Sequence, residues 1–164
     1  MSQFAGIIQE IASLLKRRNW QLVTAESCTG GLIASYLTEI PGSSNWFERG
    51  FVTYSNLAKQ DMLGVPKELI DQFGAVSEEV AQAMAIGAIQ HSAGDIAVSV
   101  TGIAGPDGGT IEKPVGTVCL SWATREGLPL TVKRQFHGTR QDIRIASCQE
   151  ALHGLLNKIQ LISN

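Results

Sequence analysis

The sequence has no excess of charge of either sign and no long apolar segment. Lysine and arginine number 13 against 15 aspartate and glutamate residues, which gives a formal net charge of −2. Dedicated nucleic-acid-binding proteins carry a basic excess, so we expect no nucleic-acid partner. No segment reaches the roughly 18 consecutive apolar residues that a membrane-spanning helix needs, so we expect no membrane partner either.

The sequence also lacks the residue clusters of disulfide frameworks and metal centres. Its three cysteines, Cys28, Cys119 and Cys148, are far apart and form no C-x-x-C pair. Its three histidines are equally scattered and show no zinc-binding spacing. This pattern predicts no disulfide and no metal. The N-terminal segment has no basic n-region and no small-residue cleavage site, so we expect a reducing, cytoplasmic location.

Enough apolar sequence is present for a folded domain. Hydrophobic residues make up 44% of the chain and charged residues 17%, which excludes intrinsic disorder. A length of 164 residues fits one domain of ordinary size, and no internal repeat or low-complexity linker interrupts it. We therefore expect a single domain over residues 1–164, with a core that needs neither disulfides nor metal.

The hydrophobic pattern alternates between helices and strands. Helices are predicted for residues 4–18, 31–39, 56–63, 66–74, 77–88 and 139–159. Strands are predicted for residues 21–25, 51–54, 96–100, 115–124 and 128–136. Helices between the early strands favour parallel pairing, and the short connection at residues 125–127 favours an antiparallel hairpin. The predicted fold is a three-layer α/β/α sandwich on a mixed, largely parallel sheet.

Chemically unusual residues follow three of the predicted strands. The first segment is Glu26-Ser27-Cys28-Thr29-Gly30-Gly31, the second is Tyr54-Ser55-Asn56 with Lys59, and the third is the glycine-rich stretch 101–117. In open α/β sheets, ligands bind beyond the carboxyl ends of the strands. If these strands are parallel neighbours, the three segments meet at one edge of the sheet and form a site there.

The first segment contains two possible nucleophiles. Gly30 and Gly31 allow close approach of a ligand and leave backbone N–H groups free at a helix start, next to the Ser27 hydroxyl and the Cys28 thiol. The thiol is intrinsically the better nucleophile, so the residues alone leave the choice open. The G-x-S-x-G and phosphate-loop patterns are absent, and a purely structural strand-to-helix turn is the alternative.

The second segment contains a possible general base. Lys59 lies one turn into its predicted helix and points back towards the strand end, where burial would lower its pKa. A solvated lysine is the alternative, just as Tyr54 could be a half-buried packing residue. His137 is the only histidine near these strand ends, so a Ser-His-Asp triad is disfavoured.

The third segment and the last helix contain possible anion-binding groups. The glycine-rich loop after Thr101 could hold a phosphate through backbone N–H groups, or it could be a long connection shaped by its turns. Arg140 lies at a helix N-terminus, where the helix dipole opposes a cation, and this placement favours an anionic partner. A surface ion pair with Asp142 or Glu150 is the alternative.

Several ordered motifs together resemble the CinA C-terminal domain family, which comprises nicotinamide mononucleotide (NMN) deamidases. The resemblance covers residues 7 to 156, and the stand-alone form of the family is the better match. The motifs that carry it are Ala25-Glu26-Ser27-Cys28-Thr29-Gly30-Gly31, Gly50-Phe51-Val52-Thr53-Tyr54-Ser55-Asn56 with Lys59, Gly74-Ala75-Val76-Ser77, Thr101-Gly102-Ile103-Ala104-Gly105-Pro106-Asp107-Gly108-Gly109, Lys113-Pro114-Val115-Gly116-Thr117 and Gly138-Thr139-Arg140.

The resemblance implies hydrolysis of the NMN carboxamide to nicotinate mononucleotide and ammonia, without a metal or organic cofactor. It implies that Ser27 is the nucleophile, Lys59 its proton acceptor, Tyr54 a supporting hydrogen-bonding group and Thr101 a polar group at the reacting centre. It also implies a homodimer. The implied substrate-binding residues are Cys28, Thr29, Gly30, Gly31, Gly102, Gly105 and Arg140.

Two other functions stay open from the sequence. The same serine could belong to an amidase that acts on another small molecule. Alternatively, the glycine-rich loops could bind a nucleotide or a protein partner without breaking any bond. A base beside a nucleophile favours an enzyme, because phosphate binding alone needs neither group.

Overall fold

Helices and strands alternate along residues 2–162, which are the residues that the computed structural model describes. In chain order the elements are α1 (Ala5–Arg18), β1 (Leu22–Glu26), α2 (Leu32–Thr38), a 3-10 turn (Ser43–Asn45), β2 (Phe47–Val52), α3 (Asn56–Leu63), α4 (Lys67–Phe73), α5 (Glu78–Gln90), β3 (Ile96–Gly102), β4 (Thr117–Thr124), β5 (Leu130–Gln135) and α6 (Arg140–Ile162).

The strands form one mixed sheet in the order β2-β1-β3-β4-β5. Strand β1 runs parallel to both β2 and β3, whereas β4 is antiparallel to β3 and to β5. Helical crossovers precede β2 and β3 in the chain, as parallel pairing requires, and a short connection joins β4 to β5. The predicted mixed α/β fold is therefore confirmed, with parallel and antiparallel pairings in equal number.

Two apolar layers cover the two faces of the sheet. One cluster contains Leu22 of β1 together with residues of α1, α2 and α6, and the other contains Val23 and Ala25 together with residues of α3, α4 and α5. Because successive side chains of a strand point to opposite faces, β1 is buried throughout. After β1 the chain turns towards β2, and after β3 it turns towards β4, so a topological switch point lies at their carboxyl ends.

The second strand differs from its prediction. It was expected at residues 51–54 but runs from Phe47 to Val52, so Tyr54 lies beyond its end. β2 is an edge strand with partly exposed side chains, and Glu48 and Arg49 interrupt its apolar pattern. The parallel ladder to β1 therefore defines this strand better than its own hydrophobicity does. The other predicted elements agree with the structure to within three residues at each end.

Candidate functional site

The three segments expected to meet do lie at one edge of the sheet, around a cleft of about 280 Å³. Ser27 directly follows β1, and its backbone N–H donates to the Val100 carbonyl of β3 at 3.0 Å. Thr53 follows β2, and its N–H donates to the Glu26 carbonyl at 2.8 Å. The cleft is lined by Ser27, Cys28, Tyr54, Asn56, Lys59, Ala75, Val76, Thr101, Gly102, Ile103, Ala104, Gly105, Asp107, Gly108 and Arg140.

The Ser27 hydroxyl and the Lys59 amine are in direct contact. Lys59 Nζ lies 3.0 Å from Ser27 Oγ, although the two residues are 32 positions apart in sequence. The N-cap Ser55 starts α3, because its side chain accepts from the Ala58 N–H, and this places Lys59 one turn into the helix. The lysine side chain is 1% exposed and points back to the strand end, as expected.

Lys59 makes its hydrogen bonds in a buried setting that lowers its pKa. Its amine donates to the carbonyls of Thr53 at 3.0 Å and Tyr54 at 3.3 Å. Burial lowers the pKa of Lys59, and no ion pair of the described residues offsets this with a carboxylate. In the structure the amine also donates to Ser27 Oγ, and the Ser27 hydroxyl donates to the Tyr54 carbonyl at 3.4 Å. A neutral amine would keep two N–H groups for the two carbonyls and offer its lone pair to the Ser27 hydroxyl. The arrangement can therefore take a proton from Ser27.

Cys28 has the opposite environment. Its side chain is 6% exposed, and burial raises the pKa of its thiol to about 12. The thiolate is the nucleophilic form of cysteine, so this thiol is unreactive near neutral pH. Of the two nucleophiles that the sequence left open, the geometry and the electrostatics favour Ser27.

The carboxylate nearest to this pair in sequence is directed away from it. Glu26 is fully buried at the end of β1, and its two oxygens accept from the backbone N–H groups of Ile33 at 2.9 Å and Ala34 at 3.1 Å. It thus supplies the N-terminal cap that α2 otherwise lacks, since Gly31 occupies the cap position. Sequence reasoning missed this role, although an acidic residue shortly before a helix start was the available signal.

The glycine turn after Ser27 lies mostly outside the cleft. Thr29 is buried, and neither it nor Gly30 or Gly31 lines the cleft. The Gly30 N–H donates to the Ser27 carbonyl at 3.0 Å, so it is not free for a ligand. Positive φ angles of 58° at Gly30 and 99° at Gly31 explain why glycine is needed at both positions. Of the four expected binding residues in this turn, only Cys28 borders the cleft.

Arg140 closes the opposite side of the cleft. Its guanidinium donates to the Gly105 carbonyl at 2.7 Å and to the Tyr54 hydroxyl at 3.1 Å. The alternative ion pairs are not formed, because Asp142 accepts from Thr139 and Glu150 pairs with Arg134. The Tyr54 side chain is 61% exposed, so it is not the half-buried packing residue considered as its alternative.

Thr101 and Gly102 form the third side of the cleft. The Thr101 side chain is 1% exposed, and its hydroxyl donates to the Ala75 carbonyl at 2.8 Å. Added to Gly102, a Cβ atom would lie 2.7 Å from a Val118 side-chain carbon and 3.2 Å from Cys28 Sγ, so a larger residue does not fit there. At the cleft, the Thr101 hydroxyl has already donated its proton to Ala75. Its oxygen still has lone pairs that can accept a hydrogen bond.

Metal centres and membrane-spanning helices are not found within residues 2–162. Among these residues, no group of three or more His, Cys, Asp or Glu side chains is arranged to hold a metal ion. No helix formed by the same residues has the length and apolar character to cross a membrane.

Comparisons with known proteins agree with this architecture. The family model of the CinA C-terminal domain matches residues 5–159. The curated relative "Nicotinamide-nucleotide amidohydrolase PncC" of Enterobacter agglomerans is 52% identical over 149 residues, which is 91% of each chain. The crystal structure of the competence/damage inducible protein CihA from Agrobacterium tumefaciens matches with a TM-score of 0.87 and 49% identity, over 96% of this chain and 99% of that chain.

A second solved structure extends the match to more distant sequences. The competence-damaged protein (CinA) superfamily protein of Klebsiella pneumoniae 700603 matches with a TM-score of 0.92 at 33% identity. That match covers 97% of this chain and 99% of the Klebsiella chain. The chain therefore belongs to the CinA C-terminal domain family.

Proposed function

We propose that the protein hydrolyses the carboxamide of NMN, giving nicotinate mononucleotide and ammonia, with Ser27 as nucleophile and Lys59 as general base. The observation that carries the proposal is the 3.0 Å contact between Ser27 Oγ and the amine of a buried lysine without a carboxylate partner. The amide substrate is supported by the 52% identity to a relative named as a nicotinamide-nucleotide amidohydrolase.

In the first step, the Ser27 oxygen attacks the carboxamide carbon while neutral Lys59 accepts the hydroxyl proton. The Thr53 and Tyr54 carbonyls hold the other two hydrogens of the resulting ammonium group. The amide oxygen gains the negative charge that must be stabilised in the transition state. The Cys28 N–H, in the one residue of the turn after Ser27 that borders the cleft, has no backbone acceptor in the turn and is the donor that we assign to it.

In the second step, protonated Lys59 returns its proton to the leaving nitrogen, and ammonia departs. The nicotinoyl carbon is then joined to Ser27 as an ester. A water molecule attacks this ester while Lys59 accepts one of its protons, and Lys59 then returns that proton to the departing Ser27 oxygen. This releases the carboxylic acid and restores both the serine hydroxyl and the neutral amine. Every proton in this scheme moves through one amine, so no metal or organic cofactor is required.

The phosphate and ribose of NMN are assigned to the other sides of the cleft. Arg140 offers the guanidinium that suits a phosphate, and the loop with Gly102 and Gly105 brings backbone close to the ligand. The Tyr54 hydroxyl, which already accepts from Arg140, supports the bound substrate at the cleft mouth. The Thr101 oxygen lies among the lining groups near the reacting pair.

The test is ammonia release from NMN, with nicotinamide riboside and free nicotinamide as comparison substrates. We expect turnover of NMN and little turnover of either compound that lacks the phosphate. Turnover of another small amide in preference to NMN would identify an amidase with a different substrate, which is one of the alternatives left open by the sequence. NMN binding without ammonia release would favour a binding module instead.

Two further expectations complete the proposal. The protein is expected to form a homodimer, as the family resemblance implies, and to act on its small-molecule substrate in the cytoplasm, as its scattered cysteines favour. Sedimentation analysis of the purified full chain tests the first of these, since a single monomeric species would contradict it.

A further inference from the structure

Arg144 binds the turn that holds Ser27 from the side of α6. Its Nε donates to the Cys28 carbonyl at 3.2 Å and its Nη2 to the Thr29 carbonyl at 3.1 Å. The third contact, from Nη1 to Gln141 Oε1 at 3.1 Å, holds the guanidinium on its own helix. The planar guanidinium holds its two carbonyl acceptors in a fixed relative geometry, whereas the donors of a lysine rotate on a flexible stem.

Two of the three acceptors of Arg144 are backbone carbonyls of the turn that follows Ser27. None of the ion pairs among residues 2–162 includes Arg144, and the nearby Glu26 carboxylate is occupied by the start of α2. Its contacts therefore restrain the backbone of the turn formed by residues 27–30. Within this turn the Gly30 N–H also donates to the Ser27 carbonyl.

The direction of a carbonyl determines the direction of the next N–H group. In a trans peptide the two lie on opposite sides of the planar unit, so turning the Cys28 carbonyl towards α6 turns the Thr29 N–H away from it. The positive guanidinium also polarises the same peptide unit and makes its N–H a better hydrogen-bond donor. Loss of Arg144 would free the backbone of the turn, and with it the position of Ser27 Oγ and the orientation of the Cys28 N–H at the cleft.

We infer that Arg144 is a positioning residue, which holds the Ser27 turn and its N–H groups in the geometry required for attack on an amide. The inference rests on the proposed amidase function. Arg140 lies one helical turn earlier on α6 and contacts the cleft itself. The two arginines thus have different roles. Arg140 is assigned to the substrate, whereas Arg144 acts on the reaction only through the turn that carries Ser27.

The experiment measures kcat and KM for NMN in wild type, Arg144→Ala and Arg144→Lys. It also measures the rate at which phenylmethanesulfonyl fluoride modifies Ser27, followed by intact mass. In that reaction the Ser27 oxygen bonds to sulfur, fluoride leaves, and Lys59 takes the proton. Because it needs no NMN, it tests the turn even if NMN proves not to be the substrate.

For Arg144→Ala we expect kcat and the sulfonylation rate to fall together by about 10- to 100-fold, as misplacement of reacting groups does. KM should change by less than about threefold, because no substrate contact is lost. Arg144→Lys keeps the charge without the fork and should recover only part of the loss. Added guanidinium ion should raise the rate of the alanine variant and not that of wild type.

The matched control is Arg134→Ala, which also removes an arginine contact to α6, the 2.8 Å pair with Glu150. It should leave kcat, KM and sulfonylation unchanged. If Arg144→Ala does not fold, Arg144→Lys supplies the same comparison. Unchanged kcat and sulfonylation in folded Arg144 variants, a loss confined to KM, or a wild-type Ser27 that does not react would each overturn the inference.

Discussion

Two consecutive short helices place two lysines in opposite environments. Lys59 of α3 is buried at the carboxyl edge of the sheet, where its hydrogen-bond partners are a hydroxyl and two carbonyls. Lys67 of α4 has a side chain that is 67% exposed and pairs with Asp71 at 2.6 Å, one helical turn away. The pKa of Lys59 is lowered by burial, whereas the hydrogen bond with Asp71 raises the pKa of Lys67.

The comparison shows that burial and hydrogen-bond partners, and not residue type, set the direction in which the pKa of a lysine moves. An exposed i, i+4 pair keeps the ammonium form and contributes little to stability. A buried amine beside carbonyls keeps its hydrogen bonds when neutral, and desolvation then favours the loss of its charge. The site needs Glu26 to be directed elsewhere, since a carboxylate beside Lys59 would restore the charged form.

The largest effect is expected from Ser27→Ala, which removes the group that Lys59 activates. Ammonia release should fall on the order of 10⁶-fold, the scale for loss of a serine nucleophile. NMN binding should remain measurable by calorimetry, because the assigned phosphate contacts lie on the other side of the cleft. The matched substitution Cys28→Ser should lower activity only modestly. An active Ser27→Ala protein together with an inactive Cys28→Ser protein would identify a cysteine amidase instead.

The second-largest effect is expected from substitution of Lys59, with the same substitution at Lys67 as its control. Lys59→Met keeps the length of the side chain without a base and should lower kcat by about 10²- to 10⁴-fold. Lys67→Met removes only an exposed pair and should leave kcat and KM as in wild type. Steady-state kinetics of the two variants tests this prediction. Similar rates of NMN turnover in both variants would contradict the assignment of Lys59 as the base.

The pH dependence follows from the lowered pKa of Lys59. Protonated Lys59 cannot accept the serine proton, so kcat/KM should rise with pH through the lowered pKa and then level off. Between that pKa and the ordinary lysine value, the unfolded chain binds more protons at this residue than the folded one does. Stability therefore increases with pH in that window. Thermal melting should show wild type gaining stability relative to Lys59→Met as pH rises, and a constant difference would contradict this.

A smaller effect is expected at Arg140, which the proposal assigns to the substrate phosphate and not to the reacting pair. Arg140→Ala should raise KM for NMN by about 10- to 100-fold, the range for hydrogen bonds to a charged group. The effect on kcat should be smaller, as for uniform binding. On nicotinamide riboside the same substitution should change little, because no phosphate is present. An equal loss on both substrates would reject the phosphate assignment.

The smallest effect is expected from chelators, because the proposed scheme moves each proton through Lys59. Ammonia release after exhaustive dialysis against EDTA should stay within about twofold of the untreated rate, since no Lewis acid is required to polarise the amide. Loss of activity that one specific metal restores would contradict the proposed chemistry.

Much of the architecture could be predicted from local pattern. The six predicted helices, and the predicted strands other than β2, agree with the structure to within three residues at each end. The edge strand β2 could not be located in this way, because its side chains are partly exposed and its ladder depends on β1. Convergence of the three strand ends was predictable because parallel strands present their carboxyl ends at the same edge.

The sequence by itself determined which groups could take part: a serine after a buried strand, a lysine one turn into a helix and an arginine at a helix start. Tertiary structure decided which groups each of them contacts and how deeply each is buried. The contact between Ser27 and Lys59, the cap supplied by Glu26 and the fork of Arg144 all join segments that local pattern cannot relate. The pKa values of Lys59 and Cys28 depend on burial by those distant segments, because desolvation is a property of the packed fold and not of the residue.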